Sequence, residues 1–147
     1  MGDAGLRANL GQLERLQAAV RQLRSSEFRY LLLSEMAAAA LDFVREEFEV
    51  SRDPYGNPWE PLKKPRSGFG GPLLKTGRLM QSVRARINGG ERKFTLYSNR
   101  DYSQFHQRGT KTIPQRRFLP DELPAAWAAR FEQIANEAIR RALTGVL

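Results

Sequence analysis

The chain carries one histidine, His106, and no cysteine. An imidazole is the side chain best suited to moving a proton near neutral pH, as a general base or acid. A lone imidazole needs a serine or cysteine to activate and an acid to orient it. No such motif stands at a diagnostic spacing from His106, which argues that the protein is not an enzyme. Zinc would have to complete its shell with carboxylates, against its preference for nitrogen and sulfur. Without cysteine there is neither thiolate ligation nor a disulfide framework. No metal and no cofactor are expected.

What surrounds His106 is irregular and polar: Asp101–Phe118 reads DYSQFHQRGTKTIPQRRF. Asp101 can cap one or two helical turns over Tyr102–Arg108, closed by Gly109 where helices often need a left-handed residue. Thr112–Leu119 reads as extended, because Pro114 disfavours helix before it and suits an edge strand. His106 and Gln107 supply donors and acceptors that could lock the crossing between that helix and that strand. Arg116 and Arg117 occupy adjacent extended positions and face opposite ways. One can pair within the fold while the other faces a partner.

Charge is spread unevenly. Pro61 to Arg117 holds fourteen Lys and Arg against two acids, Glu91 and Asp101, a net +12. The remaining ten bases and fourteen acids net −4, giving the overall +8. Such asymmetry points to an electrostatic partner, nucleic acid or an acidic protein surface, with a merely solvated face as the bland alternative. Lys63, Lys64, Arg66, Lys75, Arg84, Arg86, Lys111 and Arg117 are the expected basic surface.

The elements that position these residues follow from periodicity. At 147 residues the chain is one domain's worth, able to bury about two-thirds of its unfolded surface. Leu6, Leu10, Leu13, Leu16, Val20 and Leu23 form a narrow apolar stripe on a first helix, over 1–25. Ser25 and Ser26 are cap-type residues that break it from a second, over 26–50, with one long helix through the serines as the alternative. There Phe28, Leu31, Leu32, Met36, Ala39, Phe43, Val44 and Phe48 are expected inward. Ala37–Ala40 would admit a close helix or subunit contact, or simply favour helix.

Residues 51–72 form a long Pro/Gly-rich loop or arm. Asp53-Pro54-Tyr55-Gly56 fits a tight turn, Trp59 can pin the loop on the core, and Lys63–Gly71 reads as a flexible arm. In 73–120, Thr76 can cap a short helix over Gly77–Ser82. Val83, Ala85 and Ile87, then Phe94, Leu96 and Ser98, alternate across an Asn88-Gly89-Gly90 turn as a β-hairpin. Pro124 suits the first turn of a final helix, over 121–147, with Trp127, Phe131, Ile134, Ala138, Ala142 and Leu143 on its apolar face. The expected fold is α+β: N-terminal and C-terminal helices packed on a small antiparallel sheet. The apolar run at Tyr30–Leu41 is broken by Ser34 and Glu35, too short for a membrane span. With no secretory signal at the N-terminus, a soluble protein made inside the cell is expected.

Four short elements, in order, resemble the phage virion morphogenesis family, small tail-completion and head–tail-joining proteins of tailed phages. They are Pro54-Tyr55-Gly56-Asn57-Pro58-Trp59-Glu60-Pro61-Leu62 and Leu73-Leu74-Lys75-Thr76-Gly77-Arg78-Leu79, then Tyr102, His106, Gln107 and Gly109, and finally Ile113, Pro114, Arg116, Phe118 and Leu119. The likeness runs from about Phe48 to the C-terminus and leaves out the helix before Ser25. Gln115 stands where such proteins often have a small residue. The resemblance implies Trp59, Thr76, Gly77, Leu79, Tyr102, His106, Gln107, Gly109, Pro114, Arg116 and Phe118 as structural and interaction residues. It implies a structural virion protein forming a homo-oligomeric, six-fold ring in the phage neck. Its partners would be its own copies, head connector or adaptor proteins, tail tube or tail terminator proteins, and DNA in the channel, with no membrane. It would be made in the host cytoplasm and end in the virion. The alternative from the charge alone is a sequence-independent nucleic-acid-binding module, using the basic hairpin and Lys63–Lys75 on phosphates. Against it, no helix–turn–helix and no aromatic stacking motif on the strands is visible.

Overall fold

The computed structural model describes residues 2–64 and 71–144, with side chains from Leu10 onward. Arg66 and most of the Lys63–Gly71 arm lie outside the described residues. Two long helices open the chain, α1 (Gly2–Leu23) and α2 (Ser26–Val50). Ser25 separates them through local chemistry. Its backbone is extended (φ −68°, ψ 153°), its hydroxyl accepts Phe28 N–H at 3.1 Å and donates to Gln22 O at 2.6 Å. The hydroxyl thus satisfies an orphan donor of one helix and adds a second bond to a last-turn carbonyl of the other, which also accepts Ser25 N–H at 3.0 Å. Then follow α3 (Arg78–Ser82), β1 (Val83–Asn88), β2 (Lys93–Ser98), α4 (Ser103–Arg108) and α5 (Ala125–Leu143).

The order is α+β. β1 and β2 pair antiparallel from Val83 opposite Ser98 to Asn88 opposite Lys93, around a turn at 89–92. α2 is the central element, packing on both strands and on α5. Its buried residues are Leu33, Ala37, Ala40, Val44, Glu47 and Phe48, a stripe of threes and fours. Leu31, expected inward, is exposed. α2 is apolar on several sides over Tyr30–Leu33, so spacing alone could not fix its rotation. Phe48 is the centre of the core, edge-on to Trp59 at 5.3 Å and tilted on Phe118 at 5.5 Å. Trp127 of α5 stacks on Phe43 at 5.4 Å, and Phe131 meets Phe94 of β2 edge-on at 5.8 Å. Pro124 stands at the cap of α5, one position before its first turn.

α1 packs on α5 and α2 through a small face, where Ala19 is 4 % exposed. Its leucine stripe points elsewhere: Leu10, Leu13, Leu16 and Val20 are 39–49 % exposed. The Leu10–Val20 part of the stripe read from sequence is therefore uncovered by the described residues, Leu23 is half-buried, and the side chain of Leu6 lies outside the described residues.

Thr112–Leu119, expected to be extended throughout, begins in a bend at 111–113, and the remainder joins no sheet, since the sheet of the described residues has two strands. The expected edge strand is absent for a specific reason. The segment's backbone groups are taken by side chains and by α4 instead of by a neighbouring strand.

Candidate functional site

The site is built where α4 turns back on itself. Gly109 ends the helix at φ 77° and ψ 162°, a region essentially reserved for glycine and not the left-handed helical one expected. A β-carbon there would also lie 2.9 Å from Gln115 N and 3.1 Å from Gln115 Cβ. Thr110 N–H donates to Ile113 O at 2.7 Å, and Thr110 Oγ1 accepts Ile113 N–H at 2.9 Å. The chain doubles back, and Arg116 N–H reaches His106 O at 2.8 Å. Asp101 takes no part in capping; Tyr102 is the N-cap of α4 and makes no side-chain cap bond.

Gln107 locks this crossing. Its Oε1 accepts Phe118 N–H and Leu119 N–H, both at 3.0 Å, and its Nε2 donates to Leu119 O at 2.7 Å. One carboxamide thus serves three backbone groups in the role of a partner strand. Gln115 adds a bond from its Nε2 to Gln107 O at 3.1 Å. The imidazole does not share this work, contrary to expectation: His106 Nδ1 is buried with no hydrogen-bond partner. The ring stands edge-on to Tyr102 at 6.2 Å and faces a cavity of about 280 Å³ lined by Pro72, Leu73, Lys75, Thr76, Leu79 and Tyr102. Burial, then the charge of Arg116, lowers its pKa, favouring the neutral imidazole. Among the described residues no carboxylate lines that cavity.

A second set of contacts fastens this crossing to the 51–61 segment. Arg116 is buried, donating from Nε to Glu60 O at 2.7 Å and from Nη2 to Pro61 O at 3.3 Å. Trp59 is buried and donates from Nε1 to Arg117 O at 2.8 Å. Phe118, between them, is 1 % exposed against Phe48. Arg117, expected on the basic surface, is half-buried, its Nε buried without a partner while its Nη1 reaches the exposed Asp121 at 3.3 Å. The two arginines thus diverge as adjacent extended residues should. Pro114 is half-buried in the returning segment.

Two residues that the sequence placed in a turn, without assigning their side chains a contact, extend the fastening. Asp53 nucleates the Asp53–Gly56 turn, its Oδ1 accepting Tyr55 N–H at 2.9 Å and Asn57 N–H at 2.8 Å. Tyr55 Oη accepts Asp121 N–H at 2.8 Å and Glu122 N–H at 2.9 Å, holding the approach to α5. An aspartate opening a turn was a signal for the first; nothing local pointed to the second. Glu47 was also missed. It is 9 % exposed, Oε1 accepting Trp127 Nε1–H at 3.3 Å and Oε2 buried without a partner. Burial pushes its pKa up to about 8. Its spacing from Ala40 and Val44 on the buried stripe was the available signal.

The remaining sequence-selected residues scatter. Thr76 sits outside α3, its Oγ1 accepting Arg78 N–H at 3.4 Å, while Gly77 at φ 72° is the actual N-cap and Leu79 is core. Lys63, Lys64, Lys75, Arg84, Arg86 and Lys111 are exposed. Arg84 and Arg86 share the outer face of β1, Arg86 lying over the Tyr97 ring at 5.1 Å. Among the described residues no group of three or more His, Asp or Glu could hold a metal, and no helix is long and apolar enough to cross a membrane.

No curated protein and no solved structure matches the chain. A sequence model of one family does, over residues 9–142. The match begins inside α1, so the first helix belongs to the pattern that the short motifs alone confined to Phe48 onward. It takes in the Gln107 crossing, the Trp59–Arg116 fastening and the basic hairpin together. The chain belongs to the phage virion morphogenesis family.

Proposed function

We propose that this virion-assembly protein works as a homo-oligomeric ring in the neck of a tailed phage, completing the tail and joining it to the head. The observation that carries the reading is the stripe of Leu10, Leu13, Leu16 and Val20 that α1 leaves in water. An apolar stripe of this narrow spacing suits one further helix or one flat apolar face. Covering four half-exposed side chains is worth about 1 kcal/mol apiece. That only reaches the low end of the cost of association, so the stripe alone would hold a weak pair, and closing a ring helps by adding one contact with no further subunit to immobilise. The Gln107 crossing supports the same role, because it commits polar side chains to fixing shape and offers no group to a substrate. Head connector, adaptor, tail tube and tail terminator proteins are the neighbours such a ring would meet.

The basic span of Pro61–Arg117 keeps a second reading in play, that the protein binds nucleic acid without sequence preference. Native mass measurement and negative-stain microscopy separate the two. A closed ring with no salt-dependent shift of duplex DNA supports the neck role. A monomer that shifts DNA with a steep salt dependence refutes it.

A further inference from the structure

The seam where α2 packs on α5 opens into two adjoining cavities that share Phe43 and Glu46. The one at the C-terminal end of α2 has a volume of about 590 Å³. Phe43, Val50 and Trp127 give it an apolar wall, Glu46 and Glu47 bring two carboxyl groups to it, and Asp53, whose oxygens already serve Tyr55 and Asn57, adds a third charge at its edge. Glu47 is the telling one, nine-tenths buried with Oε2 meeting no donor. Arg52, the one base lining this cavity among the described residues, donates to Gly56 O at 3.3 Å and pairs with none of the three. The cavity suits a cation on an aliphatic stem, and among the described residues its own Arg52 is turned to Gly56 O instead of to these carboxyl groups.

The same chain carries the complement. On the β1–β2 hairpin, Arg84, Arg86 and Arg92 are exposed and paired with no carboxylate among the described residues. We propose that the α2–α5 cavity is a socket for an arginine of the basic hairpin of a second copy of this chain, so that subunits meet head to tail. The idea rests on the ring reading above and gives that ring its contact surfaces. A plug on one face and a socket on another make a heterologous contact, the kind that closes into a ring when the rotation permits. Charge then sets register and rejects wrong partners, while the apolar wall adds burial. Phosphate is excluded by the same carboxylates, so DNA is not the occupant.

Protons enter the linkage. The groups facing Glu47 are Glu46 from its own helix, Arg52, Asp53 and Tyr55 from the following turn, and the indole of Trp127 from α5. Burial keeps Glu47 protonated at neutral pH in the free subunit. A seated guanidinium favours the ionised form, so association should release a proton and tighten between about pH 6.5 and 8.5.

The test uses the full chain in sedimentation velocity at low salt. Glu46→Arg and Glu47→Gln should each weaken association at least tenfold, with Glu47→Gln also flattening its pH dependence. Thermal melts of the two variants should stay at or above the parent's, which a merely structural role for Glu47 would not produce. Arg84→Glu combined with Arg86→Glu should weaken association equally, and adding Glu46→Arg to that pair should restore it. If the parent assembles and both socket variants assemble as well as it does, the socket is wrong and the ring reading stands. If socket variants fail but the hairpin variant assembles normally, the occupant is not a second copy's hairpin and the proposal falls. A parent that stays monomeric alone and beside tail particles removes the ring reading, and the socket with it.

Discussion

Replacing Gln107 by alanine should cost the fold more than any change to its neighbour His106. The substitution strips partners from three backbone groups: Phe118 N–H, Leu119 N–H and Leu119 O. Phe118 is core, so its amide stays dry, while Leu119 is half-buried and water can reach part of what it loses. An orphaned buried group costs about 1–3 kcal/mol. One full penalty and two partial ones put Gln107→Ala at about 3–4 kcal/mol, a large share of the roughly 5–15 kcal/mol typical of a whole domain. His106→Gln should cost under about 1 kcal/mol, since the imidazole Nδ1 has no partner to lose. Urea unfolding of the full chain measures both, read at constant slope so that a midpoint shift is a stability change. Gln107→Glu sharpens the test. Its carboxylate accepts the two amides but sets an oxygen against Leu119 O, so its deficit should shrink below about pH 4, where the carboxyl regains a proton to donate. If Gln107→Ala unfolds within about 0.5 kcal/mol of the parent, packing holds the crossing and the carboxamide does not.

Gly109→Ala combines a backbone reserved for glycine with a β-carbon 2.9 Å from Gln115 N, and should cost at least ~3 kcal/mol; a parental melting temperature would show that the turn relaxes freely. Trp127→Ala removes a 3 %-exposed indole that stacks on Phe43 and bonds Glu47, for about 3–5 kcal/mol by denaturant titration, whereas Phe131→Ala, half-buried, should cost less. Glu47 makes stability pH-dependent in a fixed direction. Its folded pKa, about 8, lies above the ordinary 4.5, so its contribution is full below 4.5 and is lost as pH rises to 8. At ~1.4 kcal/mol per unit, reduced for partial solvation, the loss is a few kcal/mol. His106, lowered by burial, acts in the opposite sense on the acid side, so the slope is best read from about pH 7 to 8.5. Glu47→Gln should abolish it, and an unchanged slope would place the titrating group elsewhere.

Features decided by neighbours in sequence were legible in the sequence. Ser25 breaks the helices with its own hydroxyl, and Val83–Asn88 alternates because one face of a hairpin is buried whatever lies beneath it. Two local readings did fail, Asp101 as a cap and Gly109 as a left-handed helical residue, and the other misreadings were of features decided at long range. Pro114 fixes a local backbone but cannot say whether a strand lies alongside, and here the amides nearby go to Gln107 and His106 O. His106 and Gln107 are adjacent and equally able to hydrogen-bond; the direction each leaves α4 assigns the work to one of them. Leu31 and Leu33 are alike in composition, yet the packing of α2 on α5 and the hairpin buries the second. The leucines of α1 announce an apolar face without saying what covers it. Glu47 was readable only by accepting a carboxyl on a buried stripe.

The contacts from Trp59 to Arg117, from Arg116 to Glu60 and Pro61, and from Tyr55 to Glu122 join positions 55–67 residues apart. They close the intervening chain into a single large loop. Bringing its ends together costs on the order of 4 kcal/mol of chain entropy before any contact offsets it. The hairpin and α4 can form inside the loop beforehand and shorten the distance to be closed, so the fastening should be a late, rate-setting event in folding. A protease cut within the loop would leave two fragments held by Trp59, Arg116 and the Phe48 core rather than two separate peptides. Refolding would then become second order, its rate rising with fragment concentration. A structure that starts as one chain would have acquired the kinetics of a heterodimer.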